Sequence, residues 1–77
     1  MDDETAARLG ALEFVVKRVI AQEALRTIDP EGAPAMIDAQ LAAFLQGSAL
    51  DPGTRAALVG LFGDAKRLAE DELAASR

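Results

Sequence analysis

The stretch from Leu9 to Ile28, LGALEFVVKRVIAQEALRTI, limits the possible fold more than any other part of this chain. It holds no proline and a single glycine near its start, so its residues favour one long helix. The Asp29-Pro30 pair that follows ends that helix, because the residue before a proline is pushed out of the helical region. At about 100° per residue, the large apolar side chains fall on two sides of this helix, which therefore needs packing partners on both.

We name these two sides the first stripe and the second stripe. The first stripe spans an arc of about 140° and contains Leu9, Leu12, Val15, Val16, Val19 and Ile20. The second stripe is narrower and contains Phe14, Ala21, Leu25 and Ile28. We expect the rest of the chain to cover the first stripe and a second protein chain to cover the second. The predicted interface residues are Phe14, Val15, Val19, Ala21, Leu25 and Ile28.

Turn signals divide the remaining sequence into two further helices. Pro34 suits the first turn of one helix, and Asp51 with Pro52 is a strong start signal for the next. The predicted helices cover residues 3–28, 34–46 and 52–75, in the order long, short, long, with no strand pattern. The residues predicted to face inward are Ile37, Leu41, Phe44 and Leu45 in the second helix and Leu58, Leu61, Phe62, Ala65, Leu68, Ala69 and Leu73 in the third.

The chain is small and lacks the usual means of stabilising a small fold. Its 77 residues contain no Cys and no His, so a disulfide or a typical zinc site is not available. Oligomerisation remains, and a hydrophobic content of 51% agrees with it. We therefore predict one all-α domain over residues 1–77, assembled as a homodimeric helical bundle.

Charge argues against several classes of partner. The net charge is -5, and residues 29–52 carry four acids and no base: Asp29, Glu31, Asp38 and Asp51. Nucleic acids and anionic membranes need a basic patch, so neither is an expected partner. The apolar runs are too short for a membrane span, and the MDDE start does not resemble a signal peptide, so we expect a cytoplasmic protein. Abundant alanine and an excess of Arg over Lys favour a bacterial source.

The side chains that usually carry catalysis are scarce. Without His, Cys or Tyr, the common pairs of nucleophile and base cannot form, so we expect no enzyme, no cofactor and no metal site. Ser48, in the sequence Gly47-Ser48-Ala49-Leu50, follows the second predicted helix and has no acid before it. Acyl carrier proteins are similar in length, acidity and helicity, but their functional serine begins the second helix. This chain therefore lacks the residue that their activity requires.

Two functions remain compatible with the sequence. The first is a non-enzymatic interaction or assembly module that self-associates through helix one and leaves room for a different protein partner. The alternative is a carrier of a small apolar ligand or lipid, because a bundle rich in Ala and Leu can contain an apolar cavity.

Overall fold

The computed structural model describes residues 2–27, 29–47 and 49–76. Within these ranges the chain forms α1 (Asp3–Leu25), α2 (Ala33–Gly47) and α3 (Pro52–Ala75), and a short 3-10 turn (Pro30–Gly32) leads into α2. The described residues include no strand. The prediction of an all-α chain with three helices is confirmed.

The two long helices begin with the same local structure. The Asp2 carboxylate accepts a hydrogen bond from the Thr5 backbone N–H at 2.7 Å, and the Asp51 carboxylate accepts one from the Thr54 N–H at 3.1 Å. Asp51 also accepts the Thr54 hydroxyl at 2.6 Å. These contacts satisfy N–H groups that have no partner inside the helix, and they confirm Asp51 as an N-cap.

The first helix ends earlier than the sequence predicted. α1 stops at Leu25 rather than near residue 28, and Arg26 and Thr27 already belong to the turn. The Thr27 hydroxyl donates to the Asp29 carbonyl at 3.0 Å, a local bond that stabilises the turn before Pro30. Ile28, one of the predicted interface residues, lies outside the described residues.

The third helix is the centre of the fold, because it packs extensively against both α1 and α2. Two polar contacts join α2 to α3: Lys66 Nζ donates to Asp38 Oδ2 at 2.7 Å, and Arg55 Nη1 donates to the Leu45 carbonyl at 3.2 Å. The start of α2 therefore lies beside the later part of α3, and the end of α2 lies beside the start of α3. The two helices are therefore antiparallel.

Small residues dominate the core. Alanines make up most of the buried side chains, with one large aliphatic and one aromatic residue among them: Ala21, Ala24, Ala33, Ile37, Phe62, Ala65 and Ala69. The predicted inward face of α3 is confirmed, since Phe62, Ala65 and Ala69 are buried and the four leucines of that face are half-buried. Alanine allows two helix backbones to approach closely but removes little apolar surface from water.

The chain is extended for its length. Its radius of gyration is 13.7 Å and its dimensions are 42 × 29 × 14 Å. A compact domain of this length has a radius of gyration of about 11.5 Å. The two long helices, of 23 and 24 residues, are each about 35 Å long and account for this extension. Every residue of α1 from 3 to 16 is exposed.

Candidate interaction surface

The first half of α1 is exposed along its length, and the helix carries large apolar side chains into solvent. On this helix Leu9, Leu12, Phe14, Val15, Val16 and Val19 are between 41% and 60% exposed. Single exposed apolar residues are common on proteins, but a group on one helix marks an interaction site or an aggregation hazard. This group is the principal candidate for a functional surface.

The sequence prediction for the first stripe is wrong. It was expected to face α2 and α3, yet five of its residues are exposed and Ile20 is half-buried. α1 packs instead through Ala21 and Ala24, which are 3% and 2% exposed. The physical reason is that the small side chains of Ala21 and Ala24 fit into the core shared by the three helices, and this orientation turns the larger residues of the first stripe outward.

The predicted interface residues are found in different environments. Phe14, Val15 and Val19 are exposed, whereas Ala21 is buried within the chain and Leu25 is half-buried against the same core. The structure therefore brings Ala21 and Leu25 together inside the protein, away from the exposed group. The Arg18 guanidinium lies 4.5 Å from the centre of the Phe14 ring, a cation–π contact that partly covers this aromatic side chain.

An open apolar groove continues from the first stripe between the three helices. Its volume is about 750 Å³, and its walls combine residues of α1, α2 and α3: Val16, Val19, Ile20, Glu23, Gln40, Ala43, Phe44, Leu58, Leu61 and Phe62. Glu23 and Gln40 are the polar members of this lining. The first stripe and the groove thus form one surface with a largely apolar character.

Phe44 belongs to this groove rather than to the core, which corrects the prediction that it faces inward. Phe44 is 55% exposed, while Ile37 on the same helix is fully buried. The Phe44 ring packs on Phe62, with 5.8 Å between ring centroids and an interplanar angle of 56°. Ile37 is the large side chain that α2 contributes to the core, and the Phe44 ring covers that core from outside.

Charged pairs lie at both ends of the exposed stripe on α1. Arg8 contacts Glu4 at 2.9 Å near the start, and Arg26 contacts Glu23 at 3.4 Å near the end. Both pairs are highly exposed, so each stabilises the isolated chain little. The position of these pairs bears on binding rather than on stability, because charges at the border of an apolar surface favour one orientation of a partner.

The exposed area is large for the size of the chain. The total accessible surface is 5465 Å², whereas a folded monomer of this mass exposes about 4,500 Å². The excess of about 1,000 Å² is comparable to the roughly 800 Å² that each partner buries in a standard interface.

In the ranges that the structure describes, no group of three or more Asp and Glu side chains is arranged to hold a metal ion. None of the helices found there has the length and apolar composition that crossing a bilayer requires. Comparisons with known protein families, with curated proteins and with solved structures found no match to this chain.

Sequence reasoning missed Leu9, Leu12, Val16 and Phe44 as parts of the exposed surface. One available signal was the spacing of Ala21 and Ala24, which places two small residues away from the centre of the first stripe. A side with small residues favours close packing of helices. It therefore competes with the side of larger apolar area to face the core.

Proposed function

We propose that this chain is a non-enzymatic assembly module that self-associates through α1. The observation that carries the proposal is the exposed apolar group on that helix, from Leu9 to Val19. A helix with this much exposed apolar surface is unfavourable in water and is stabilised when a second surface covers it. The excess accessible area is close to what one partner of a dimer buries.

Matched valine substitutions test this proposal. Val19 and Val59 are 50% and 48% exposed, and each lies within a long helix, but Val59 is on α3 and does not line the groove. We expect Val19→Glu to convert a dimer to a folded monomer, because it places a charge in the apolar contact. Val59→Glu should leave the dimer unchanged.

Sedimentation equilibrium between 5 and 500 µM (roughly the range in which an interface of this class associates) gives the mass of each protein. A wild-type chain that is monomeric throughout would refute self-association. Equal dissociation by both substitutions would instead assign the effect to added charge in general.

The groove favours a second candidate function, transport of a small apolar ligand. Its volume of about 750 Å³ falls within the range of about 300–1,000 Å³ that is typical of ligand sites. Native mass spectrometry of freshly purified protein separates the two functions: a retained small-molecule mass on a monomer supports the carrier. A dimer mass without additional components supports the assembly module.

The proposal includes a cytoplasmic location in a bacterium. Its support is compositional, namely the many alanines and the six Arg against two Lys. A further protein that binds the assembled dimer is compatible with this function.

A further inference from the structure

The charges on α1 are arranged in the same order at both ends of its exposed stripe. Glu4 precedes Arg8 at one end, and Glu23 precedes Arg26 at the other. At about 100° per residue, Arg8 and Glu23 fall within the arc of the first stripe, and Glu4 falls at its edge. These three residues therefore border the surface that self-association would cover. Arg26 is the C-cap residue just beyond the helix, and it also lines a depression with Leu68 and Glu72 of α3.

The charged residues and the apolar residues between them are arranged almost symmetrically about one point in the sequence. Arg8 and Glu23 are equally distant in sequence from the point between Val15 and Val16, and so are Leu12 and Val19. The midpoint of Glu4 and Arg26 lies at Val15, half a residue away. A two-fold axis through this centre relates each residue to its counterpart in an antiparallel copy of the same helix.

We propose that the occupant of the first stripe is α1 of a second copy, packed antiparallel about the point between Val15 and Val16. This inference rests on the proposed self-association and adds its orientation and register. Arg8 of one chain then meets Glu23 of the other, and Glu4 meets Arg26. A parallel arrangement in register places Glu4, Arg8, Glu23 and Arg26 beside their own copies, so like charges face each other at both ends.

The shape of the chain also fits this arrangement. Every residue of α1 from 3 to 16 is exposed, so its N-terminal half is accessible to the C-terminal half of a second α1. Leu12 of the second copy is then opposite Val19, which lines the groove. The contact is reciprocal, because under a two-fold axis each chain contributes both the exposed N-terminal half of α1 and the groove that receives the partner's helix. It uses the excess area of about 1,000 Å² that the single chain leaves exposed.

Cysteine cross-linking tests the orientation, and the natural chain contains no cysteine that would interfere. In the antiparallel register, two copies of residue 15 are offset by about 1.5 Å along the helix axis, while two copies of residue 9 are about 20 Å apart. We expect Val15→Cys to cross-link to itself with a short bismaleimide and Leu9→Cys to remain uncross-linked. A mixture of Leu12→Cys and Val19→Cys should yield the mixed dimer.

The outcomes distinguish this inference from the proposed function. A dimeric wild type in which Leu9→Cys links efficiently to itself would mean that self-association stands and the antiparallel orientation is wrong. A monomeric wild type in sedimentation refutes both. A monomer that carries a retained small molecule in native mass spectrometry gives the groove a different occupant, and this result also overturns the inference.

Charge reversal provides an independent test if a cysteine variant fails to associate. Arg8→Glu should weaken the dimer about tenfold or more at low salt, because each substitution acts twice in a symmetric contact. Arg8→Glu combined with Glu23→Arg restores opposite charges only in the antiparallel arrangement, so we expect affinity within about threefold of the wild type. Failure of the combined variant to recover affinity would contradict the register.

Discussion

The Phe44 and Phe62 rings are 5.8 Å apart, yet Phe62 is 6% exposed and Phe44 is 55% exposed. The two aromatic side chains therefore mark the boundary between the core and the apolar groove. Phe62 belongs to the buried core shared by the three helices, while Phe44 packs on it and remains exposed to solvent. This contact connects the stability of the single chain to the surface proposed for its assembly.

The unequal burial of the two rings predicts unequal losses of stability. Phe62→Ala should lower the free energy of unfolding by about 3–5 kcal/mol, because it leaves a cavity in the core. Phe44→Ala should lower it by about 1 kcal/mol, which is the size of an aromatic pair contribution. Urea unfolding in the Val19→Glu background measures both values without a contribution from self-association.

Phe62→Leu serves as the milder variant if Phe62→Ala does not fold. Equal losses for Phe44→Ala and Phe62→Ala in that background would mean that Phe44 is covered within the single chain, contrary to its observed exposure.

Gly60 weakens α3 without a packing reason that the structure shows. A Cβ atom added at Gly60 would meet nothing within 4 Å, whereas one added at Gly53 would lie 3.2 Å from the Asp51 carboxylate that caps the helix. Gly60→Ala should therefore raise the free energy of unfolding by about 0.5–1 kcal/mol, through the lower backbone entropy of the unfolded chain. Thermal unfolding followed by circular dichroism measures the gain.

Gly53→Ala is the matched control for that substitution, because it changes the same residue type on the same helix. It should give no comparable gain, since the added carbon crowds the cap. A stabilisation by Gly53→Ala as large as that by Gly60→Ala would show that the cap does not restrict this position.

The N-cap of α3 predicts a loss of stability in acid. Hydrogen bonds from the Thr54 hydroxyl and then the Thr54 N–H lower the pKa of Asp51 below its ordinary value of 3.8. The folded state therefore binds this proton less readily than the unfolded state. The stabilisation is complete above pH 3.8 and is lost as the pH falls through the lowered pKa. Asp51→Asn keeps a capping side chain and removes the titration, so its melting temperature should fall less between pH 5 and pH 2 (roughly the range in which carboxylates titrate).

Asp2 provides the comparison, because the Thr5 backbone N–H, followed by the Thr5 side chain, lowers its pKa in the same way. Asp2 caps the projecting end of α1, which can fray without unfolding the core. Asp2→Asn should therefore change amide exchange in the first turns of α1 and leave the pH dependence of the melting temperature close to that of the wild type. An equal effect of both substitutions would indicate that α1 unfolds only together with the core.

The sequence was sufficient for the helices and for the side of α3 that faces inward. Asp51 with Pro52 marked the start of α3. The apolar residues of α3 lie on one side of that helix, so only that side can face the core. α1 offered two apolar sides, and periodicity cannot say which of them is buried. In the structure Ala21 and Ala24 enter the core, because small residues permit close packing of helices. The number and size of apolar residues on one side of a helix do not reveal this preference.

The same ambiguity affected the predicted interface. Phe14 was placed in it with Ala21 and Leu25, because all three share one side of α1. In the structure that side faces α3 at Ala21 and Leu25, while Phe14 lies beyond the core and contacts Arg18. The role of Phe14 in assembly stays a prediction, and it can be compared directly with a residue of the first stripe.

Leu12 and Phe14 allow that comparison, because they are neighbouring large residues that are 60% and 50% exposed. Leu12 lies near the middle of the first stripe, and at about 100° per residue Phe14 lies on nearly the opposite side of the helix. Leu12→Ala should weaken the dimer about tenfold or more, since it removes a central apolar contact in both halves of a symmetric interface. Phe14→Ala should weaken it less than about threefold, because the antiparallel pairing leaves Phe14 outside the contact. Sedimentation equilibrium gives both dissociation constants, with circular dichroism confirming that each variant is helical. The reverse ranking would assign assembly to the second stripe, in which case Phe14 rather than Leu12 anchors the contact.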